Sequence, residues 1–180
     1  SLNIIGEVST AGAGNFQTSN STTSNSTTSN QNLGQIDIAP TGSILALGGN
    51  VVLTANAQAG SSISISSGAV VQTGTGSITL TADTSATPLG KIFLAGSPVV
   101  TNGGSMNFNS GVVLSDNTTL NTGAASTGNI TFQSTVDGNG LPPAENLTLQ
   151  TAGVITFTGN IGTSSALGDL IINSQNPTSL

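Results

Sequence analysis

Residues 63–83 read ISISSGAVVQTGTGSITLTAD, and residues 92–109 rephrase them as IFLAGSPVVTNGGSMNFN. Each phrase holds three short apolar beats separated by Gly, Ser, Thr or Asn, and the beats return in one order along the chain. The first beat is Ile36/Ile38, Ile63/Ile65, Ile92/Leu94, Val112/Leu114 and Leu147/Leu149. The second is Leu45/Leu47, Val70 or Val71, Val99 or Val100, Leu120 and Ile155/Phe157. The third is Val51/Leu53, Ile78/Leu80, Met106/Phe108, Ile130/Phe132 and Leu170/Ile172. About five cycles result, each of roughly 20–35 residues, which is a solenoid period.

Inside a beat the apolar residues lie two apart with Ser, Thr, Asn or Gln between them, as in SITLTA and NITFQS. That spacing belongs to strands with one buried face. The β-branched residues favour strands, and the Gly, Asn, Asp and Pro between beats favour turns. An antiparallel sandwich also gives many short strands, but it has no need of a three-beat cycle. A chain coiled so that each beat lands on its predecessor does need one, because like residues then stack in columns across parallel sheets. The columns predicted are Leu53, Leu80, Phe108, Phe132 and Ile172 on one wall, and Ile38, Ile65, Leu94, Leu114 and Leu149 on another. The expected fold is therefore all-β, a three-sided parallel β-helix, right-handed by the chirality of parallel crossovers.

The corners between beats differ. Between first and second beats the gap stays short, whereas between third and first it runs from NSG at 109–111 to QSTVDGNGLPPAEN at 133–146. Variable corners tolerate insertions and tend to carry binding surfaces. Residues 1–35 read as a partial N-terminal rung with a Ser/Thr/Asn low-complexity extrusion at 17–32. Leu2 and Ile4 resemble a third beat; the alternative is a partial rung that uses Val8 and Phe16. The β-helix proper spans 36–174, and 175–180 leads to a further rung or a linker. Neither end carries a polar cap of the kind a solenoid requires, so a longer array is expected, with any secretion signal outside this segment.

The side-chain inventory excludes much chemistry. There is one Lys or Arg, no His, no Cys, no Trp and no Tyr, and only 4% of residues are charged. Zinc, copper, haem and iron–sulfur sites lack their imidazole or thiolate ligands, so no cofactor or metal is expected. His-dependent nucleophilic catalysis is impossible. A net charge of −6 with Lys91 as the sole cation speaks against nucleic-acid binding and against anionic membrane surfaces. No apolar run reaches the ~18 residues of a membrane span.

GNITFQSTVDG, NLTLQTAGVITFTGNIG and SALGDLIINS resemble repeat phrases of filamentous-haemagglutinin-like exoproteins, the large β-helical adhesins of Gram-negative bacteria. The resemblance covers about residues 36–174. It implies a secreted or cell-surface protein that works as a stalk or adhesive filament. Its partners would be a carbohydrate or protein receptor, or further copies of itself end to end.

Few residues invite a sharper reading. Phe93 and Val113 fall on the outward parity of one wall in adjacent rungs, a candidate contact patch unless a loop covers them. Asn20, Asn25, Asn117, Asn129 and Asn146 begin N-x-S/T triplets and are glycosylation candidates, although chance matches are expected in so Asn- and Thr-rich a chain. Asp137 and Glu145 share one long corner, and a carbohydrate-active enzyme would need such a pair in a groove. Simple solvation of the Pro-containing loop is the favoured explanation of both, and Asp83 and Asp116 read as turn residues. Lys91 reads as a solvated edge residue. An ice-binding wall would need an unbroken Thr-x-Thr array, which Thr79/Thr81 begin and Asn107/Asn109 interrupt. The sequence thus points to a non-enzymatic extracellular segment of an adhesin or surface filament, with a carbohydrate-active β-helix enzyme and a self-assembling sheath subunit as the alternatives.

Overall fold

The two-residue alternation of the sequence becomes an alternation of burial. In Val51–Ala55, Ile78–Ala82 and Leu147–Thr151 the first, third and fifth residues are buried and the two between are half-buried. Strands of this kind need a shared interior, and coiling supplies it. The computed structural model describes residues 2–9, 16–20, 35–55, 59–85, 87, 89–123, 127–176 and 178–179. Residues 21–32 of the Ser/Thr/Asn tract, including Asn25, lie outside them.

Wall 1 stacks β1 (Leu2–Ile4), β4 (Ile36–Ile38), β7 (Ile63–Ile65), β10 (Lys91–Ala95), β13 (Gly111–Asp116) and β16 (Val136–Asp137). Wall 2 stacks β2 (Glu7–Ser9), β5 (Ser43–Ala46), β8 (Val70–Thr73), β11 (Val99–Val100), β14 (Thr118–Gly123), β17 (Leu147–Thr151) and β19 (Leu170–Ser174). Wall 3 stacks β3 (Phe16–Asn20), β6 (Val51–Ala55), β9 (Ile78–Ala82), β12 (Met106–Phe108), β15 (Ile130–Phe132), β18 (Ile155–Phe157) and β20 (Thr178–Ser179). Neighbours pair in parallel, with like residues opposite one another, as in Ile36↔Ile63↔Ile92↔Val112 and Leu53↔Leu80↔Phe108↔Phe132. The protein is a three-sided parallel β-helix.

Apolar side chains from all three walls fill the interior of the middle circuits. Ile36, Ile63, Ile92 and Val112 from wall 1, Ile44, Val71, Val99 and Leu120 from wall 2, and Leu53, Leu80 and Met106 from wall 3 are fully buried. Each such side chain contributes ~1.5–3 kcal/mol relative to exposure. Phe108, Phe132 and Phe157 form a continuous stack, with centroids 4.9 and 4.8 Å apart and planes inclined by 12° and 6°. Rung spacing alone produces this geometry, since parallel strands lie ~4.8 Å apart.

Several assignments differ from the reading of the sequence. Leu2–Ile4 pairs with Ile36–Ile38 and so opens wall 1 instead of wall 3. Val8 and Phe16 continue that circuit into walls 2 and 3, which is the partial-rung alternative. In the second beat it is Ile44 and Ala46 that are buried, while Leu47 is 58% exposed. The stretch SILAL is apolar at both parities, and pairing of Ile44 with Val71 decides between them.

The largest correction concerns phase. Leu147/Leu149 pair with Thr118/Leu120 on wall 2, Ile155/Phe157 with Ile130/Phe132 on wall 3, and Leu170/Ile172 with Leu147/Leu149 on wall 2. The Phe132 column therefore continues to Phe157, not Ile172, and Leu149 does not stand over Leu114. The cause is β16, a two-residue strand whose Val112↔Val136 pairing fills wall 1 within what reads as a corner. Once β16 is counted, the long insertion is 138–146, between walls 1 and 2.

Candidate functional site

The corners govern where anything can bind, because the walls are continuous sheet. At the corner between walls 2 and 3, Thr73, Thr101, Thr122 and Thr151 are buried. Their hydroxyls donate to the carbonyls of Gly76, Gly104 and, for the last two, Gly128. Outside them runs a ladder: Asn50 Oδ1 accepts from Ser77 N–H (2.7 Å), Ser77 Oγ from Ser105 N–H (3.3 Å), Ser105 Oγ from Asn129 N–H (3.1 Å), and Asn129 Oδ1 from Val154 N–H (2.8 Å). Side-chain oxygens thus satisfy backbone donors that the turning chain takes out of the sheet. This corner is closed.

The corner between walls 1 and 2 is open. A second ladder runs through it, with Asn146 N–H donating to Asn117 Oδ1 (2.8 Å) and Asp169 N–H to Asn146 Oδ1 (2.6 Å). A single residue, Asn117, links β13 to β14, whereas 138–146 loops out between β16 and β17. The loop and the rung beneath it enclose a groove of about 390 Å³, lined by Asp116, Asn117, Asn139, Leu141, Glu145 and Asn146 among others.

These ladders explain the glycosylation triplets. In Asn117-Thr-Thr, Asn129-Ile-Thr and Asn146-Leu-Thr the Asn makes the corner bond, the next residue is buried, and the Thr faces outward. Strand alternation after a corner Asn therefore writes N-x-T as a by-product. Asn20 ends β3.

Asp137 and Glu145 are both buried, at 3% and 4% exposure, each tied to a separate segment. Asp137 Oδ1 accepts from Ser164 N–H (2.9 Å), on the segment whose Ile161 bridges to Val136. Glu145 Oε2 accepts from Asn139 N–H (3.2 Å) and lies against Gly138. Loop solvation is therefore not their role: Asp137 ties the start of the loop to the segment at Ser164, and Glu145 closes the loop on itself. Of the two, only Glu145 lines the groove, and its acidic companion there is Asp116. The sequence marks Asp116 only as a turn residue and gives no sign of Asn139 or Leu141. Aligning Asn117-Thr-Thr-Leu with Asn146-Leu-Thr-Leu as the same wall would have placed the loop above Asp116.

Asp83 sits at the corner between walls 3 and 1. The Ser85 N–H and hydroxyl both donate to its Oδ1 (2.9 and 2.8 Å), and together they hold its carboxyl below the ordinary range against the opposing effect of burial. Its Oδ2 is buried without a hydrogen bond. Lys91 shares this shallow cleft and lies across Gly111, where a Cβ would come 2.7 Å from its Nζ. Phe93 and Val113 are directly paired on the outer face of wall 1, and both are half-buried. Outward on wall 3 the rungs read Val52/Thr54, Thr79/Thr81, Asn107/Asn109, Thr131/Gln133 and Thr156/Thr158, so the Thr array is interrupted as the sequence indicated. Among the described residues no three acidic side chains gather in a metal-binding group.

Comparison with known families, curated proteins and solved structures finds no match to this chain.

Proposed function

We propose that the chain is a non-enzymatic, rod-forming segment of an extracellular bacterial adhesin or surface filament. The observation that carries this reading is the parallel stacking of three sheets through the described circuits, in register but for slips at Ala95 and Gly123. Six or seven strands per wall, spaced ~4.8 Å apart, extend about 30 Å along the axis. Backbone bonds parallel to that axis resist extension together, and the apolar columns have no break at which a joint forms. Outward positions carry Ser, Thr, Asn and Gln with few charges, so partners are held by shape and hydrogen bonds with little electrostatic steering. The resemblance of its phrases to filamentous-haemagglutinin-like exoproteins supports the same reading. Antibodies raised against the folded chain should label intact cells of the source organism, with rods protruding from the surface in electron micrographs. Labelling only after lysis would refute the assignment.

A further inference from the structure

Glu145 is 96% removed from solvent by its 4% exposure, yet only one of its oxygens has a hydrogen bond, the 3.2 Å contact from Asn139 N–H. The other is free of partners among the described residues, and the side chain lines the 390 Å³ groove. That oxygen is not one of the buried atoms left without a partner, so it stays open to solvent on a side chain that lines the groove and is free to accept from a ligand there. Across from it Asp116 is exposed, with Oδ1 taking the Asn117 N–H (2.7 Å) and Oδ2 left over.

The amides of the groove are polarised the opposite way. Asn117, Asn139 and Asn146 each spend Oδ1 on a backbone N–H, of Asn146, Leu141 and Asp169 respectively. Their Nδ2 groups make no bond among the described residues and can only donate. The groove therefore offers acceptor-only carboxylates interleaved with donor-only amides, beside an apolar side made by Leu141, which is 66% exposed, and Pro142.

That pattern selects its ligand class. Anions are excluded by two carboxylates and by the absence of any cation, since Lys91 lines a different cleft. A cationic peptide, whose ammonium groups would meet the carboxylates and whose carbonyls would meet the amides, is the competing occupant that oligolysine tests below. A sugar hydroxyl both donates and accepts, and the C–H face of a pyranose ring packs on an apolar side chain. The volume lies within the ~300–1,000 Å³ of small-ligand sites. We propose that this groove is a binding site for a neutral glycan, with Glu145 and Asp116 accepting from its hydroxyls, the three Asn donating, and Leu141 carrying the ring. This deepens the adhesive reading above and rests on it.

The test uses the 180-residue chain on a microarray of neutral, sialylated and sulfated glycans, followed by calorimetry with the best-retained neutral oligosaccharide. Neutral glycans should be retained in preference to acidic ones. Asp116→Ala, Leu141→Ser and Glu145→Gln should each weaken binding by about tenfold or more. Glu145→Gln risks disturbing the loop, so Asp116→Ala, at an exposed position, is the deciding variant, with circular dichroism confirming its β content. A folded chain that retains no neutral glycan, an Asp116→Ala variant that binds unchanged, or a melting shift with calcium chloride or oligolysine but none with glycan would overturn the site. Those outcomes leave the rod reading standing; absence of rods from cell-surface micrographs would remove that reading, and the two failures are distinguished because glycan retention is measured on the isolated chain.

Discussion

At the residue scale the tightest constraint is a position where no side chain fits. A Cβ on Gly104 would fall inside the carbonyl oxygen of Gly76 one rung below, and the oxygen is backbone that cannot move aside without opening the corner. Gly6 is a control, since nothing lies within 4 Å of where its Cβ would be. In urea denaturation Gly104→Ala should lose about 3 kcal/mol or more, while Gly6→Ala should lie within about 0.5 kcal/mol of the parent. Asp83 gives a second residue-level expectation. Its carboxyl is depressed by the Ser85 N–H and hydroxyl, so its contribution is present above the unfolded value of ~3.9 and is lost as pH falls through the lower folded value. Carbon-13 titration should show the Asp83 carboxyl protonating below the ordinary aspartate value, and Ser85→Ala should move it upward; no movement would mean the hydroxyl bond is not the cause. Phe108 and Phe132 were legible as stacked residues from the sequence, because their beats share one spacing. The glycine and threonine columns leave no mark in an apolar pattern, because neither residue type identifies a core position.

At the element scale, pairing on both edges and burial of the inward face separate stable strands from weak ones. In β17 the first, third and fifth residues are buried, and it pairs with β14 and β19. In β19 the corresponding residues are only half-buried and Ile171 is 42% exposed. Amide exchange should be slower in β17 than in β19 by about two orders of magnitude, the factor that ~2.7 kcal/mol of local stability supplies. Equal protection would mean that another element covers β19 in solution. β16 shows why element assignment from sequence lost its phase. Val136 is its only inward apolar residue, so the strand has no alternation to detect, and pairing with Val112 is what defines it. Leu45 and Leu47 failed for a related reason: a stretch apolar at both parities has a period but no preferred face.

At the scale of the molecule, the β-helix is a stack of nearly interchangeable circuits. Excising residues 63–91 would bring Ile36 and Ile38 of wall 1 directly beneath Ile92 and Leu94, whose present partners Ile63 and Ile65 are the same residue types. The shortened chain should keep its β circular dichroism, lose stability in proportion to one circuit, and shorten by ~4.8 Å in small-angle scattering. Collapse to an unfolded chain would contradict independent stacking. Strands, their alternation and the three-beat cycle were determined by the sequence alone, as was the poverty of reactive side chains, because a pleated backbone turns local spacing directly into faces. Only tertiary structure decided which wall each strand joins and that Asp116 meets Glu145 across one groove. Those outcomes depend on stacking and corner hydrogen bonds between residues a full circuit apart, and no local spacing records them.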